Sequence, residues 1–225
     1  FPRSAGVYGG NGDAFLVKYN SLGVRQWARC FGGNQNDAGN SVAVDTNNDI
    51  VITGRSASAN LPATAAGFQP ANAGGMDAFI AKFNSTGNIL WATYFGGSGT
   101  TYRDEGFGVD TDSGRNIIVT GITDSPNLPV LGGIQMVYGG GILDLFVIKI
   151  NPSGVKLWAT FLGGSLDDEP GAVAVDNKDN IIIKGDTYSP DFPVTLCSTQ
   201  TILGGIEDHF VTQIDPNGNL VCSGF

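Results

Sequence analysis

An all-β fold of repeated four-stranded antiparallel blades, a β-propeller, is what this sequence predicts, and three observations carry the prediction. A motif opening on aspartate occurs four times, as DAFLVKYN at 13–20, DAFIAKFN at 77–84, DLFVIKIN at 144–151 and DHFVTQID at 208–215, at spacings of 64, 67 and 64 residues. A second motif follows at the same period: GVRQWARCFGG, GNILWATYFGG, GVKLWATFLGG and a degenerate GNLVCSGF, with Cys222 in the place held by Trp27, Trp91 and Trp158. A third occurs three times, as VAVDTNNDIVITG, GVDTDSGRNIIVTG and VAVDNKDNIIIKG. Self-similarity at this period belongs to propellers and solenoids, and no stretch shows helical periodicity with caps.

Each repeat resolves into four strand signals. VAVD at 42–45 is short and apolar, an Asn/Asp-rich turn follows, and IVITG completes a tight hairpin. A long Gly/Pro/Ala-rich connection at 56–76 leads to DAFIAKFN. There Phe79, Ala81 and Phe83 alternate with Ala78, Ile80 and Lys82, the two-residue period of a strand. The turn STGN then opens ILWATYF, which Gly-Gly ends. Four short antiparallel strands make one propeller blade. Small residues (Ser41, Ala43, Gly108, Ala172, Ala174) flank the VAVD strand, which places it innermost, near a crowded axis, with ILWATYF outermost. The divisions are a partial blade at 1–33, carrying only two outer strands, and blades at 38–97, 104–164 and 170–225. The second inner strand, GFGVD, reads as short.

The set GG…DAF.AK.N..G..LWAT..GG, followed by VAVD…N(I/V).(V/I)TG, resembles the SBBP repeat, named for seven-bladed β-propellers, over essentially the whole chain. Phe1-Pro2, Leu61-Pro62, Leu128-Pro129 and Phe192-Pro193 stand at the family's Phe-Pro position. Cys222 for Trp, and His209 where Ala14 and Ala78 stand, depart from the pattern. The resemblance implies a scaffold, mostly secreted or surface-attached, and no particular reaction.

A seven-bladed ring at this period needs roughly 455 residues, about twice the 225 here. An open arc would leave two blade faces wet, forfeiting roughly 10 kcal/mol if each carries on the order of 400 Å² of apolar surface, as much as a whole domain's stability. The expected partners are therefore further blades of the same polypeptide or another copy. Residue 1 is Phe with no signal peptide after it, which reads as a processed or excised chain.

Composition narrows the function. Acids outnumber bases 21 to 12, for a net charge of −9, which excludes an electrostatic nucleic-acid binder. With 41% hydrophobic residues, disorder is excluded too. No apolar run approaches the roughly 18 residues of a membrane span. No GxSxG, HExxH, CxxC or P-loop pattern occurs. The Gly-Gly pairs at 32–33, 96–97 and 163–164 read as turn glycines with positive φ. His209, the single histidine, reads as a surface or interface residue. Cys30, Cys197 and Cys222 match no zinc pattern. They read as small buried hydrophobes or as one disulfide and a spare, Cys197–Cys222 being the pair if one forms, worth roughly 3 kcal/mol.

Asp45, Asp110 and Asp176 read as strand-closing turn residues, and DTDSGRN at 110–116 as a turn rather than a calcium loop. Asp13, Asp77, Asp144 and Asp208 read as structural caps of the preceding glycine-rich loop. The candidate binding residues lie in the links between blades, Asp37, Arg103, Asp104, Asp167 and Asp168, which topology puts with the long loops at one mouth of the ring. A solvated acidic rim is the other reading of them. Asn84-Ser85-Thr86 fits a glycosylation sequon. The expected function is a non-enzymatic extracellular or cell-surface scaffold, without metal or cofactor, binding a surface protein or glycan within a larger protein. The alternatives are an architectural subunit of a surface layer or filament, and a hydrolase or lyase using Asp37, Asp104 and Asp168 as acid and base groups.

Overall fold

The computed structural model describes residues 9–62, 67–98 and 103–225, which leaves Phe1-Pro2 outside the described residues. A two-stranded sheet comes first, β1 (Ala14–Tyr19) with β2 (Arg25–Phe31). Three four-stranded antiparallel sheets follow, each in sequence order. They comprise β3 (Asp37–Val44), β4 (Ile50–Ser56), β5 (Asp77–Phe83) and β6 (Ile89–Phe95); then β7 (Asp104–Thr111), β8 (Ile117–Thr123), β9 (Asp144–Ile150) and β10 (Lys156–Leu162). The last holds β11 (Asp168–Val175), β12 (Ile181–Thr187), β13 (Asp208–Ile214) and β14 (Leu220–Gly224). No helix forms among the described residues. The fold is all-β and blade-like, with β7 lying against both β3 and β11, so the first strands of successive sheets are innermost.

The inner strands are longer than VAVD. Each starts at an aspartate, and a bulge at Gly39/Ser41, Gly106/Gly108 or Pro170/Ala172 separates that start from the rest of the strand. β7 is as long as β3 and β11, so GFGVD is no shortened strand. The hairpin turn is closed by Asp45, whose Oδ1 accepts from the amides of Asn47 (2.9 Å) and Asp49 (3.0 Å), with Asn48 at φ 61°. Asp176 does the same, but in the middle blade the turn residue is Asp112, which accepts from Asn116 N at 2.7 Å. Asp110 instead lies inside β7 and accepts from Val175 N of the next sheet at 2.8 Å. The two-residue offset follows from Asn116, since the turn needs a carboxylate four residues before that amide. The cation at this turn is the buried Lys149, 2.9 Å from Asp112 Oδ2. Lys82 likewise meets Asp45 at 2.9 Å.

Blades stack through both faces of the two middle sheets. β5 is buried at all seven positions: Phe79, Ala81 and Phe83 pack toward the preceding sheet, while Ala78 and Ile80 join Val109 and Ile148 of the next. Phe31 meets Phe79, and Phe95 meets Phe146, each at 5.1 Å between ring centroids. The tryptophans share one environment. Each indole N–H donates to a carbonyl in the outer turn of the following sheet: Trp27 to Ser85 (3.1 Å), Trp91 to Pro152 (3.0 Å), Trp158 to Pro216 (3.3 Å). Gly87 and Gly218, at φ 80° and 90°, leave that turn without a Cβ where the ring of Trp27 or Trp158 lies. Cys222 holds the fourth tryptophan position, opposite Gln213 as Trp91 is opposite Lys82, and no described sheet follows it.

The long connections do not gather at the mouth. After starting there they run back along the outermost strand, where Leu131 pairs with Ala159 and Gln135 with Phe161, and Tyr94 N donates to Gln69 O. They cover the edge that an outer strand would otherwise expose. Cys197 of the last connection is bonded to Cys222 of β14, with the Cα atoms 5.7 Å apart, and Cys30 is free. Trp91→Phe is expected to cost about 1–2 kcal/mol by urea denaturation, the loss of one partly buried hydrogen bond and some packing. Cys197→Ser with Cys222→Ser is expected to cost about 3 kcal/mol, measured the same way under oxidising conditions.

Candidate functional site

The residues that the sequence placed in the inter-blade links build three copies of one polar junction. Asp37, Asp104 and Asp168 do not stand on an exposed rim: each is buried as the first residue of an inner strand. Asp37 Oδ1 accepts from Ser56 Oγ (2.5 Å), and its Oδ2 from Ser58 Oγ (2.8 Å) and Gly33 N (2.7 Å). Asp104 accepts from Thr123 Oγ1 (2.5 Å), Ser125 Oγ (2.9 Å) and Gly97 N (2.9 Å). Asp168 accepts from Ser189 Oγ (3.0 Å) and Gly164 N (2.7 Å). Burial explains why these carboxylates face no solvent-borne ligand, and of their six oxygens only Asp168 Oδ1 has no donor in reach.

A second carboxylate reaches each junction from the preceding sheet. Asp13, Asp77 and Asp144 open their strands and accept from glycine-rich loop amides, Gly9 N (2.9 Å), Ala73 N (2.8 Å) and Gly139 N (2.6 Å). Asp208 takes the Gly204 amide in the last repeat, completing the capping role read from the sequence. The first glycine of each Gly-Gly pair separates the two acids. A Cβ on Gly32 would lie 2.4 Å from Asp13 Oδ1 and 2.9 Å from Asp37 Oδ2; on Gly163, 2.6 Å from Asp144 Oδ1 and 2.8 Å from Asp168 Oδ2. On the second glycines a Cβ would strike Ser58, Ser125 or Ser189 at 2.5 Å. None of these six glycines has a positive φ. They are required for close approach, not for turn conformation.

Arg103 and Asp167 complete the predicted set without joining the acid pairs. Arg103, half-buried, donates to Glu105 Oε2 through Nε (3.0 Å) and Nη2 (2.5 Å). Glu105 also receives Asn40 Nδ2 (2.8 Å) and Arg55 Nη1 (3.2 Å), which bridges two blades. Asp167 holds the long connection by accepting from Ile142 N (2.5 Å) and Leu143 N (3.3 Å). His209 is 90% exposed, its ring nitrogen against Asp186. Two recurring elements went unread in the sequence. The hydroxyl pairs Ser56/Ser58, Thr123/Ser125 and Thr187/Ser189 sit two residues apart at one repeat position. Gln69, Gln135 and Gln200 precede the strand-opening aspartates by 8, 9 and 8 residues. Gln69 Nε2 reaches Asp77 Oδ2 at 2.9 Å, and Gln135 Oε1 accepts from Gly163 N at 3.1 Å. Their period was the available signal.

The electrostatics follow from burial. Desolvation pushes Asp77 up to about 7, against the Ala73 amide and with the Asp104 charge adding to it. Asp144 rises to about 7 and Asp104 to about 6, again mainly through burial. Oδ1 of Asp13, Asp77 and Asp144 is buried with no hydrogen-bond donor in reach. Elsewhere donors win: burial raises Glu105, but Asn40, Arg103 and Arg55 hold it below the usual carboxylate range. Among the described residues no group of three or more His, Cys, Asp or Glu is placed to hold a metal ion. The junctions can bind and release protons.

For Asp77, Asp104 and Asp144 the folded chain binds the proton more tightly than the unfolded one, whose aspartates titrate near about 3.9. Their contribution to stability is therefore full below about pH 4 and lost as pH rises through about 6–7. Urea midpoints between pH 4 and 8 should fall with rising pH, and Asp77→Asn with Asp144→Asn should flatten the slope. Gly96→Ala should cost about 1–3 kcal/mol by overpacking, since its Cβ would lie 2.4 Å from Asp77 Cγ.

The chain is similar to parts of known proteins. An uncharacterized WD repeat-containing protein of Acanthamoeba polyphaga mimivirus is 26% identical over 269 aligned residues, which take in 93% of this chain and 19% of that protein. The chain thus spans about a fifth of that relative's length. A crystal structure of a protein of unknown function from Bacteroides caccae aligns at 12% identity and a TM-score of 0.31, over 95% of this chain and 94% of that one. Residues 26–62, which run from β2 across the Asp37 junction to the end of the first inner hairpin, match the model of the SBBP β-propeller repeat.

Proposed function

We propose that this chain is a non-enzymatic β-propeller scaffold segment of a larger secreted or cell-surface protein, binding a surface protein or glycan. One observation carries the reading: the repeated residues are spent on blade-to-blade stacking, and among the described residues that stacking leaves the outward face of the last sheet open. Val211, on the outward face of the last sheet, is 57% exposed, whereas Val147 at the same repeat position is fully buried. The match to a β-propeller repeat and the WD-repeat relative support a scaffold. The Cys197–Cys222 disulfide supports an oxidising, extracellular compartment. Asp37, Asp104 and Asp168, the groups an enzymatic reading would use, are buried and engaged.

The whole encoded polypeptide, immobilised and screened against a glycan array and against cell-surface proteins, is expected to return a saturable partner. It is also expected to turn over no glycoside, ester or polysaccharide substrate. Turnover that Asp104→Asn abolishes in a folded variant would assign the catalytic reading instead.

A further inference from the structure

At the mouth, the junction between the third sheet (β7–β10) and the last (β11–β14) holds a groove of about 340 Å³. Its lining is Gly141 and Ile142 of the long connection before β9, Leu166 and Asp167 of the link, and Tyr188 just after β12. Ligand pockets begin near about 300 Å³. These walls do not repeat. Tyr188 N donates to Asp167 O as Ala57 N does to Asn36 O and Asp124 N to Arg103 O, and Leu166 N meets Ser189 Oγ as Gln35 N meets Ser58 Oγ. Tyrosine therefore stands where the earlier junctions have Ala57 and Asp124, aspartate where they have Asn36 and Arg103, and leucine where the first has Gln35. Ile142 lies in the repeat of 67 residues, three longer than its neighbours of 64. Ile142 and Leu166 are 71% and 48% exposed. Residues that recur build the blades, so an exposed set that does not recur is free to serve a ligand.

Asp167 Oδ1 fixes one wall by accepting from Ile142 N (2.5 Å) and Leu143 N (3.3 Å). Gly141, at φ 65°, lets that wall close on the link, since a Cβ there would lie 2.5 Å from Leu166 C. Tyr188 Oη donates to Glu207 Oε2 at 3.0 Å. That bond holds the phenol above its usual range, with the charges of Glu207, Glu169 and Asp186 adding to it. Asp186 meets His209, but Asp167, Glu169 and Glu207 have no ion-pair partner among the described residues. The side chains thus offer carboxylate acceptors, an aromatic ring and apolar surface, and the one hydroxyl is already engaged. A sugar needs donors as well as acceptors, whereas an ammonium or guanidinium brings donors alone. Building on the scaffold reading, we propose that this groove binds a basic peptide segment of a partner protein. One lysine or arginine side chain lays its aliphatic stem on Ile142 and Leu166 and sets its charge between Asp167 and the Tyr188 ring. The chain's net charge of −9 draws such a segment in.

The test titrates the whole chain into a fluorescein-labelled peptide of alternating glycine and arginine, and into the same peptide with citrulline, which keeps the shape and loses the charge. Saturable anisotropy with arginine, and at least tenfold weaker binding with citrulline, is the expected result. Leu166→Lys puts a like charge on an exposed wall and should weaken binding at least tenfold. Asp167→Asn and Tyr188→Ala should do the same, with thermal midpoints showing that each variant is folded. Asp49→Asn removes the same charge from the β3–β4 turn, at the opposite end of the blades, and should leave binding unchanged. Equal losses through Asp49→Asn and Asp167→Asn, or binding untouched by Leu166→Lys, overturn the proposal in favour of diffuse attraction to an acidic surface. Equal binding of the citrulline peptide, or no binding of the arginine peptide, overturns it outright. A glycan that the chain captures and Leu166→Lys releases overturns it in favour of a sugar site and leaves the scaffold reading standing. Substrate turnover judges the scaffold reading alone.

Discussion

A sheet that is apolar on both faces cannot stand alone in water, and everything else in this molecule answers to that constraint. β5, β8 and β9 are buried along their whole length, so each of the two middle sheets lies between two others. Alternation does the sorting, because one set of side chains packs backward and the other forward. The indole N–H bonds then fix how far out along the blade the next turn sits. Stability by this route is a sum of neighbour contacts, which is the thermodynamic character of a repeat protein.

The polar junctions work against burial rather than with it. The Asp77/Asp104 and Asp144/Asp168 pairs are buried, and among the described residues no lysine or arginine forms an ion pair with them, in contrast to Lys82 on Asp45. What keeps them is donor density. Hydroxyls two residues apart and the amide of the second glycine converge on one acid, and loop amides on the other. A buried carboxylate is tolerated when such donors surround it. The same convergence ties the end of one sheet, the link and the start of the next into a single polar knot.

Much of this was legible from sequence. Period, strand order, hairpin turns and the capping role of Asp13, Asp77, Asp144 and Asp208 could all be read. They depend on local alternation, turn chemistry and repetition, which are properties of short segments. The misreadings share one physical cause. Gly-Gly after a strand looks like a turn, and Asp after a link looks like a rim. Only when segments 19 to 28 residues apart are brought together do the glycines prove to be gaps for foreign side chains. Asp110 and Asp112 were confused for the same reason: which carboxylate closes the turn depends on register with Asn116, and which crosses to Val175 depends on the next blade.

By itself the chain of residues determined that the protein is a tandem all-β array of four-stranded units with its bulkiest strand outermost. Side-chain alternation and turn propensity are local and survive in any context. Tertiary structure alone decided which polar groups are buried together and that the long connections guard the outer edges. Those outcomes rest on distances between residues far apart in sequence, and no local pattern encodes a distance until the sheets have stacked.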